Sequence, residues 1–80
     1  MTPAEIKTQL TGVFRDVFDD NALEIHEAMT AKDVPDWDSL NHINLVVAVE
    51  RSFRVRLTTR EVSALEKVGD LIALLEKKAV

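Results

Sequence analysis

The sequence predicts an all-α protein, a small bundle of amphipathic helices. Apolar residues recur at helical spacing in separate stretches along the chain, which is typical of helices with one buried face. Patterns typical of helix starts precede the first and the later stretches. The chain has 80 residues and no cysteine, so a single domain must be stabilised by its hydrophobic core without disulfides or thiolate metal sites.

The first helix is predicted over about residues 3–18. Thr2 and Glu5 have the spacing of a capping box, and Pro3 suits the first helical position. Gly12 lies inside the helix at a cost of about 1 kcal/mol relative to Ala, and we expect it to allow a neighbouring element to approach closely. The polar face mixes both charges, unlike the basic face of a membrane-surface helix. The core stripe of this helix is Ile6, Leu10, Val13, Phe14 and Val17.

Residues 19–38 lack a sustained helical period and are predicted to form a long loop, which in a small domain is usually functional or disordered. We expect Leu23, Ile25 and Met29 to pack against the core. His26 has no metal-ligating companion at useful spacing and is interpreted as a solvated loop residue.

The second helix is predicted over about residues 39–53. Ser39 lies where the polar loop gives way to the apolar pattern, which is the N-cap position. A serine there has two interpretations. It is either a cap, worth about 1 kcal/mol, or a modification site at the positive end of a helix. On this residue alone the cap is favoured. The apolar residues assigned to one helical face are Leu40, Ile43, Val46, Val47, Val49 and Phe53.

A third helical region begins after Thr58, which has a second capping-box spacing with Glu61. Its inward-facing residues are predicted to include Val62 and Leu65. Lys77 and Lys78 suit the negative end of the helix dipole. Periodicity alone would allow one helix over residues 59–78. Four further core positions follow the same period: Val68, Leu71, Ile72 and Leu75.

The segment from Asp36 to about Leu75 resembles acyl carrier proteins, and the first helix agrees with that family in length and pattern. Asp38-Ser39-Leu40 resembles the attachment motif of the family, and it opens an apolar helix that ends in Ala48-Val49-Glu50-Arg51-Ser52-Phe53. The resemblance implies a single carrier domain over residues 1–80 with three longer helices and one short one. It places a break near Glu66-Lys67, giving a short helix over about 59–65 and a last helix over about 67–78. The later matching segments are Val55-Arg56-Leu57-Thr58, Glu61-Val62 and Val68-Gly69-Asp70-Leu71.

The resemblance also implies a cofactor and a site. The serine that matches Ser39 carries covalent 4′-phosphopantetheine from coenzyme A, attached by a separate phosphopantetheinyl transferase that Asp38 and Leu40 would help to position. Acyl-transferring, condensing or ligase enzymes would be the other partners. The predicted partner-binding residues are Asp38, Leu40, Asn41, Asn44, Val47, Glu50 and Arg51. Six residues are predicted to line an acyl-chain site, although each of them could equally be a plain core residue. They are Ile43, Val47, Val49, Phe53, Leu65 and Leu71.

The carrier interpretation fits the absence of cysteine, because only a prosthetic group could then supply the thiol for a thioester. Carriers of bacterial fatty-acid synthesis present a markedly acidic second helix, whereas residues 38–56 contain two acids and three arginines. We therefore expect a discrete carrier for a specialised pathway, such as polyketide or modified-lipid assembly. Alternatives left open are an amino-acyl or peptidyl carrier and an unmodified helical interaction module.

Catalysis by the chain itself is not expected. Asp38, Ser39 and His42 are neighbours on a helix, but four short helices leave little room for an oxyanion site and a substrate cleft. His42 is therefore interpreted as solvent-facing. The net charge of −4 argues against nonspecific nucleic-acid binding. Without a membrane-length apolar run or a signal-peptide pattern, we expect a cytoplasmic monomer.

Overall fold

The computed structural model describes residues 2–78, and within that range it contains four α-helices and no β-strand. This confirms the predicted all-α bundle of three longer helices and one short helix. The short helix ends two residues before the predicted residue 65, so that Leu65 lies in the following loop. No helix within residues 2–78 is long and apolar enough to cross a membrane. The helices are α1 (Pro3–Val17), α2 (Ser39–Phe53), α3 (Thr59–Ser63) and α4 (Val68–Lys78), with a 3₁₀ turn at Ala31–Asp33.

Both predicted capping boxes are present. The hydroxyl of Thr2 accepts a hydrogen bond from the backbone N–H of Glu5, and the Glu5 carboxylate accepts one from the backbone N–H of Thr2. Thr58 and Glu61 make the same pair of bonds at α3. These backbone hydrogen bonds lower the pKa of both glutamates, since they favour the charged carboxylate. Each box therefore satisfies two of the unpaired donors at its helix start.

The hydrophobic core lies between α1, α2 and α4, with α1 packed against both of the other helices. Within residues 2–78 no polar or charged residue is buried, so the core is wholly apolar. The α1 and α4 positions predicted to face inward are buried apart from Val17, which packs at the edge of the core. The fully enclosed side chains are Ile6, Leu10, Phe14, Leu45, Val49, Val68 and Leu75.

The long loop is fixed to the bundle by buried side chains and backbone hydrogen bonds. Ile25 and Met29 are buried as predicted, and Leu23 is half-buried. The backbone N–H of Val68 donates to the Met29 carbonyl at 2.8 Å, and that of Gly69 donates to the Glu27 carbonyl at the same distance. These two bonds connect the loop to the first turn of α4. The loop therefore has a defined course although it contains little regular structure.

The predicted apolar face of α2 is partly wrong. Leu40, Ile43 and Val47 are 67%, 61% and 41% exposed, whereas Leu45, which was not assigned to that face, is 1% exposed. Val49 and Phe53 are buried with Leu45, and the three follow one another at intervals of four residues. Apolar residues occupy most of the circumference of α2, so periodicity could not distinguish the buried face from the exposed one.

The role predicted for Gly12 is also wrong, because a Cβ atom at this position would meet nothing within 4 Å. The close approach occurs at Gly69, where a Cβ atom would lie 3.0 Å from the backbone oxygen of Glu27. It is Gly69, in the first turn of α4, that lets the loop hydrogen-bond to the helix.

Gly12→Ala and Gly69→Ala should therefore have opposite effects on the free energy of unfolding. Gly12→Ala should raise it by about 0.5–1 kcal/mol, since Ala loses less backbone entropy than Gly on forming a helix. Gly69→Ala should lower it by about 1–3 kcal/mol, because the new methyl group would push against a hydrogen-bonded backbone. Urea unfolding of both variants measures the difference, and equal stabilisation by both would contradict the contact at Gly69.

Candidate functional site

Ser39 is the first residue of α2, and the preceding residue Asp38 is the N-cap. Asp38 is in an extended conformation (φ −102°, ψ −174°), and its carboxylate accepts a hydrogen bond of 2.9 Å from the backbone N–H of Asn41. The prediction that Ser39 caps the helix is therefore wrong. Aspartate and serine cap helices about equally well, so the sequence Asp-Ser offered two candidates, and the fold uses the first.

This arrangement leaves the Ser39 hydroxyl available. Ser39 is exposed, and its side chain makes no hydrogen bond to any part of the chain that the structure describes. Over the same range, the backbone N–H groups of Ser39 and Leu40 have no protein acceptor. Two free donors at the positive end of a helix favour an anion such as a phosphate group.

The residues before Ser39 are held by a short network. The Asn41 side chain donates a hydrogen bond of 2.6 Å to the carbonyl of Asp36, and the backbone N–H of Asp38 donates to the same carbonyl at 3.0 Å. The backbone N–H of Trp37 donates to the carbonyl of buried Val34. The approach to α2 is thus fixed from both sides of Trp37.

Trp37 anchors the loop to the bundle through its aromatic ring and its indole N–H. Its ring meets that of Phe14 edge-on, with centroids 5.4 Å apart, and lies 6.1 Å from the ring of Phe18. Its indole Nε1–H donates a 3.1 Å hydrogen bond to Nδ1 of His42. The predicted solvent-facing position of His42 is therefore wrong, since this side chain is half-buried and its Nδ1 accepts the hydrogen bond from Trp37.

A cavity of about 560 Å³ opens beside Ser39, a volume within the usual range for small-molecule sites. The polar residues Asp38 and Ser39 lie at its edge with the rings of Trp37 and His42. Apart from Glu66 and Lys67, the other wall residues are apolar. These wall residues come from α2, from the loops on either side of α3 and from the start of α4: Ile43, Leu45, Val46, Val49, Leu57, Leu65, Val68 and Leu71.

Four of the six residues predicted to line an acyl-chain site lie on this cavity. They are Ile43, Val49, Leu65 and Leu71. Val47 and Phe53 do not line this cavity. Val47 is exposed on the outer side of α2, and Phe53 is buried in the core one turn beyond Val49. Leu57 was missed because it lies in an irregular segment, where no periodic signal assigns a side chain to a surface.

The residues predicted to bind partners fall into two groups. Leu40, Asn44, Val47 and Arg51 are exposed, at a spacing that places them along one side of α2.

The polar side chains of the other group bind the chain's own backbone. In addition to the Asp38 cap and the Asn41 bond to Asp36, a carboxylate oxygen of Glu50 accepts a hydrogen bond of 2.9 Å from the backbone N–H of Leu57. Glu50 thereby positions a wall residue of the cavity, a role that the sequence did not predict. Only the exposed group is wholly available to a partner.

The arrangement provides an accessible hydroxyl, a positive helix end and an apolar cavity within one short stretch of chain. Within residues 2–78 no group of three histidine, cysteine, aspartate or glutamate side chains is placed to hold a metal ion. Nδ1 of His42 is occupied by Trp37, and the Asp38 carboxylate caps α2, so neither completes a catalytic triad with Ser39. The geometry suits covalent attachment of an anionic group whose apolar end enters the cavity.

No model of a known protein family matches the chain, and comparison with curated proteins gives no match. Among solved structures, the chain is similar to a holo acyl carrier protein from Geobacter metallireducens determined by solution NMR. The two share 39% sequence identity and superpose with a TM-score of 0.85. The match covers 90% of this chain and 83% of the other.

The position of the cap predicts a contrast between neighbouring residues. Asp38→Ala should lower the free energy of unfolding by about 0.5–2 kcal/mol, because it removes the acceptor for the Asn41 N–H. Ser39→Ala should change it by less than about 0.5 kcal/mol, as for exposed residues without structural contacts. Thermal unfolding of both variants makes the comparison. If Ser39→Ala lowered the free energy of unfolding more than Asp38→Ala, Ser39 and not Asp38 would be the N-cap.

Proposed function

This chain belongs to the acyl carrier protein family, and we propose that it holds acyl groups as thioesters on a 4′-phosphopantetheine arm attached to Ser39. The observation that carries the proposal is the Ser39 hydroxyl, which is exposed, makes no hydrogen bond within residues 2–78 and lies beside a mainly apolar cavity. The arm supplies the terminal thiol that this cysteine-free chain lacks.

The residues around Ser39 fit the proposed group. A phosphodiester on Ser39 would bring anionic oxygens to the end of α2, where the N–H groups of Ser39 and Leu40 have no acceptor among the described residues. The cap at Asp38 would stay in place, because Asn41 bonds to the carboxylate of Asp38 and not to the serine. Modification would therefore leave the start of α2 intact.

Attachment requires a phosphopantetheinyl transferase and Mg²⁺. In this reaction a bond forms between Ser39 Oγ and the β-phosphorus of coenzyme A, the serine loses its proton, and 3′,5′-ADP leaves. Asp38 is exposed, and one of its two carboxylate oxygens accepts the capping bond from Asn41, so the other is available to the transferase and its metal. Leu40, which is 67% exposed, would insert into an apolar hollow on that enzyme.

The cavity would receive the acyl chain. Four predicted lining residues, Ile43, Val49, Leu65 and Leu71, already lie on it. Trp37 and His42 line it and are connected to each other by a hydrogen bond, so they would help to direct the arm between α2 and α4. Burying the chain would remove it from water at a gain of about 0.8 kcal/mol for each methylene group.

Intact-mass measurement tests the attachment. After incubation with coenzyme A, Mg²⁺ and a broad-specificity transferase, the mass should rise by one phosphopantetheine. Ser39→Ala should abolish the gain, whereas Ser63→Ala, which removes an exposed serine at the end of α3, should preserve it. No gain with several competent transferases would contradict the proposal and favour an unmodified interaction module.

We further propose that the carrier serves a specialised pathway, such as polyketide or modified-lipid assembly. Residues 38–56 carry two acids and three arginines, and the structure uses both acids, Asp38 and Glu50, in bonds to backbone N–H groups. The exposed side of α2 therefore lacks the acidic surface of housekeeping fatty-acid carriers. Like charges across an interface slow encounter and reject wrong partners.

Without any substitution, the loaded protein should consequently be a poor substrate for enzymes of fatty-acid synthesis. Asn44→Glu should raise the rate of malonyl transfer from coenzyme A to the loaded protein by about two- to fivefold, as one added surface charge contributes about 0.2–1 kcal/mol. Asn44→Gln is the matched neutral control. Asn41 should be left unchanged, because its side chain holds Asp36. Rates equal to those of a fatty-acid carrier before any substitution would contradict the specialised role.

A further inference from the structure

We infer that the exposed side of α2 docks onto partner enzymes through an apolar hollow flanked by carboxylates. This rests on the proposed function, because such partners are the enzymes that load and unload the carrier. We define the docking stripe as Leu40, Ile43, Val47, Arg51 and Arg54.

The docking stripe is continuous along α2. Leu40, Ile43, Val47 and Arg51 are separated by three or four residues, and at 100° per residue they lie within one sector of the helix. Arg54 follows the last residue of α2. Its three apolar residues, Leu40, Ile43 and Val47, are the large hydrophobic side chains that the described structure exposes. The stripe starts one residue after Ser39, so a partner lying on it would meet whatever Ser39 carries.

The two arginines lie at the end of the stripe furthest from Ser39. Arg51 and Arg54 are exposed, and within residues 2–78 neither forms a salt bridge, the one such pair being Lys78 with Glu61. Residues 38–56 have a net charge of +1, whereas the whole chain has −4 and the remainder therefore −5. The stripe thus presents local positive charge on an acidic protein.

Arg54 indicates that this charge is retained at a structural cost. It follows the last residue of α2 in the left-handed conformation (φ 55°, ψ 46°), where glycine is the usual residue. A residue with a side chain is strained there. No hydrogen bond or salt bridge from its guanidinium occurs in the described part of the chain. An arginine in this strained position, without a hydrogen bond or salt bridge within residues 2–78, points to an external contact.

These features together define the partner. The apolar residues require a hollow that removes them from water, and the arginines require carboxylates beside the end of that hollow furthest from the site of the arm. A basic partner would be repelled by Arg51 and Arg54, although the net charge of the whole protein would attract it.

Two synthetic amphipathic helical peptides test this surface. Both carry the same leucine stripe, flanked by glutamates in one and by lysines in the other. NMR titration of the unmodified full-length protein should show about three- to tenfold tighter binding of the glutamate peptide, with amide shifts centred on Ile43, Val47 and Arg51. Tighter binding of the lysine peptide, as the net charge alone predicts, would overturn the inference. Self-association through the stripe, seen as concentration-dependent shifts of the same amides without peptide, would also overturn it.

Variants test whether Arg51 and Arg54 cause the preference for the glutamate peptide. Arg51→Gln combined with Arg54→Gln should abolish the preference for the glutamate peptide, whereas Arg60→Gln, which removes an exposed arginine of α3, should preserve it. Arg54→Gly should weaken the preference and raise the melting temperature by about 4–8 °C, as relief of about 1 kcal/mol of strain predicts. A lower melting temperature would contradict the strain at Arg54. Since no arm is needed, these results are independent of whether Ser39 can be loaded.

Discussion

The hydrogen bond from the backbone N–H of Asn41 to the carboxylate of Asp38 is the interaction on which the site depends. It starts α2 at Ser39 and satisfies a first-turn donor without using the serine. The Ser39 hydroxyl and the neighbouring N–H groups are thereby left for a ligand. If Ser39 itself were the cap, modification would compete with the stability of the helix that positions it. Separating the two roles on adjacent residues would allow α2 to keep one structure before and after the proposed loading of Ser39.

The rest of the fold holds this helix start against the cavity. Trp37 connects the loop to Phe14 in α1 and to His42 in α2, so three elements meet at the edge of the cavity. On the opposite side, Glu50 bonds to the backbone of Leu57. The hydrogen bonds Trp37–His42 and Leu57–Glu50 therefore fix residues that line the cavity.

The sequence predicted the parts of this structure that follow from local chemistry. The capping boxes at Thr2 and Thr58 and the buried stripes of α1 and α4 depend on spacing within one helix, which a sequence displays directly. The buried face of α2 was assigned wrongly at Leu40, Ile43 and Val47, because a helix that is apolar on both sides gives no signal for which side the bundle covers. The contacts of His42 and Glu50 join residues five and seven positions away through the tertiary course of a loop, and no periodicity encodes them.

Amide NMR shifts of the unmodified and the hexanoyl-loaded protein test the account most directly. Loading should move the Ser39 and Leu40 amides furthest, because the phosphate would accept their hydrogen bonds, and then the amides of Val49 and Leu71 on the cavity. The Asn41 amide, held by Asp38, should move little. A large shift of Asn41 with no change at Val49 or Leu71 would show that loading disturbs the cap and that the acyl chain stays outside, which would contradict the account.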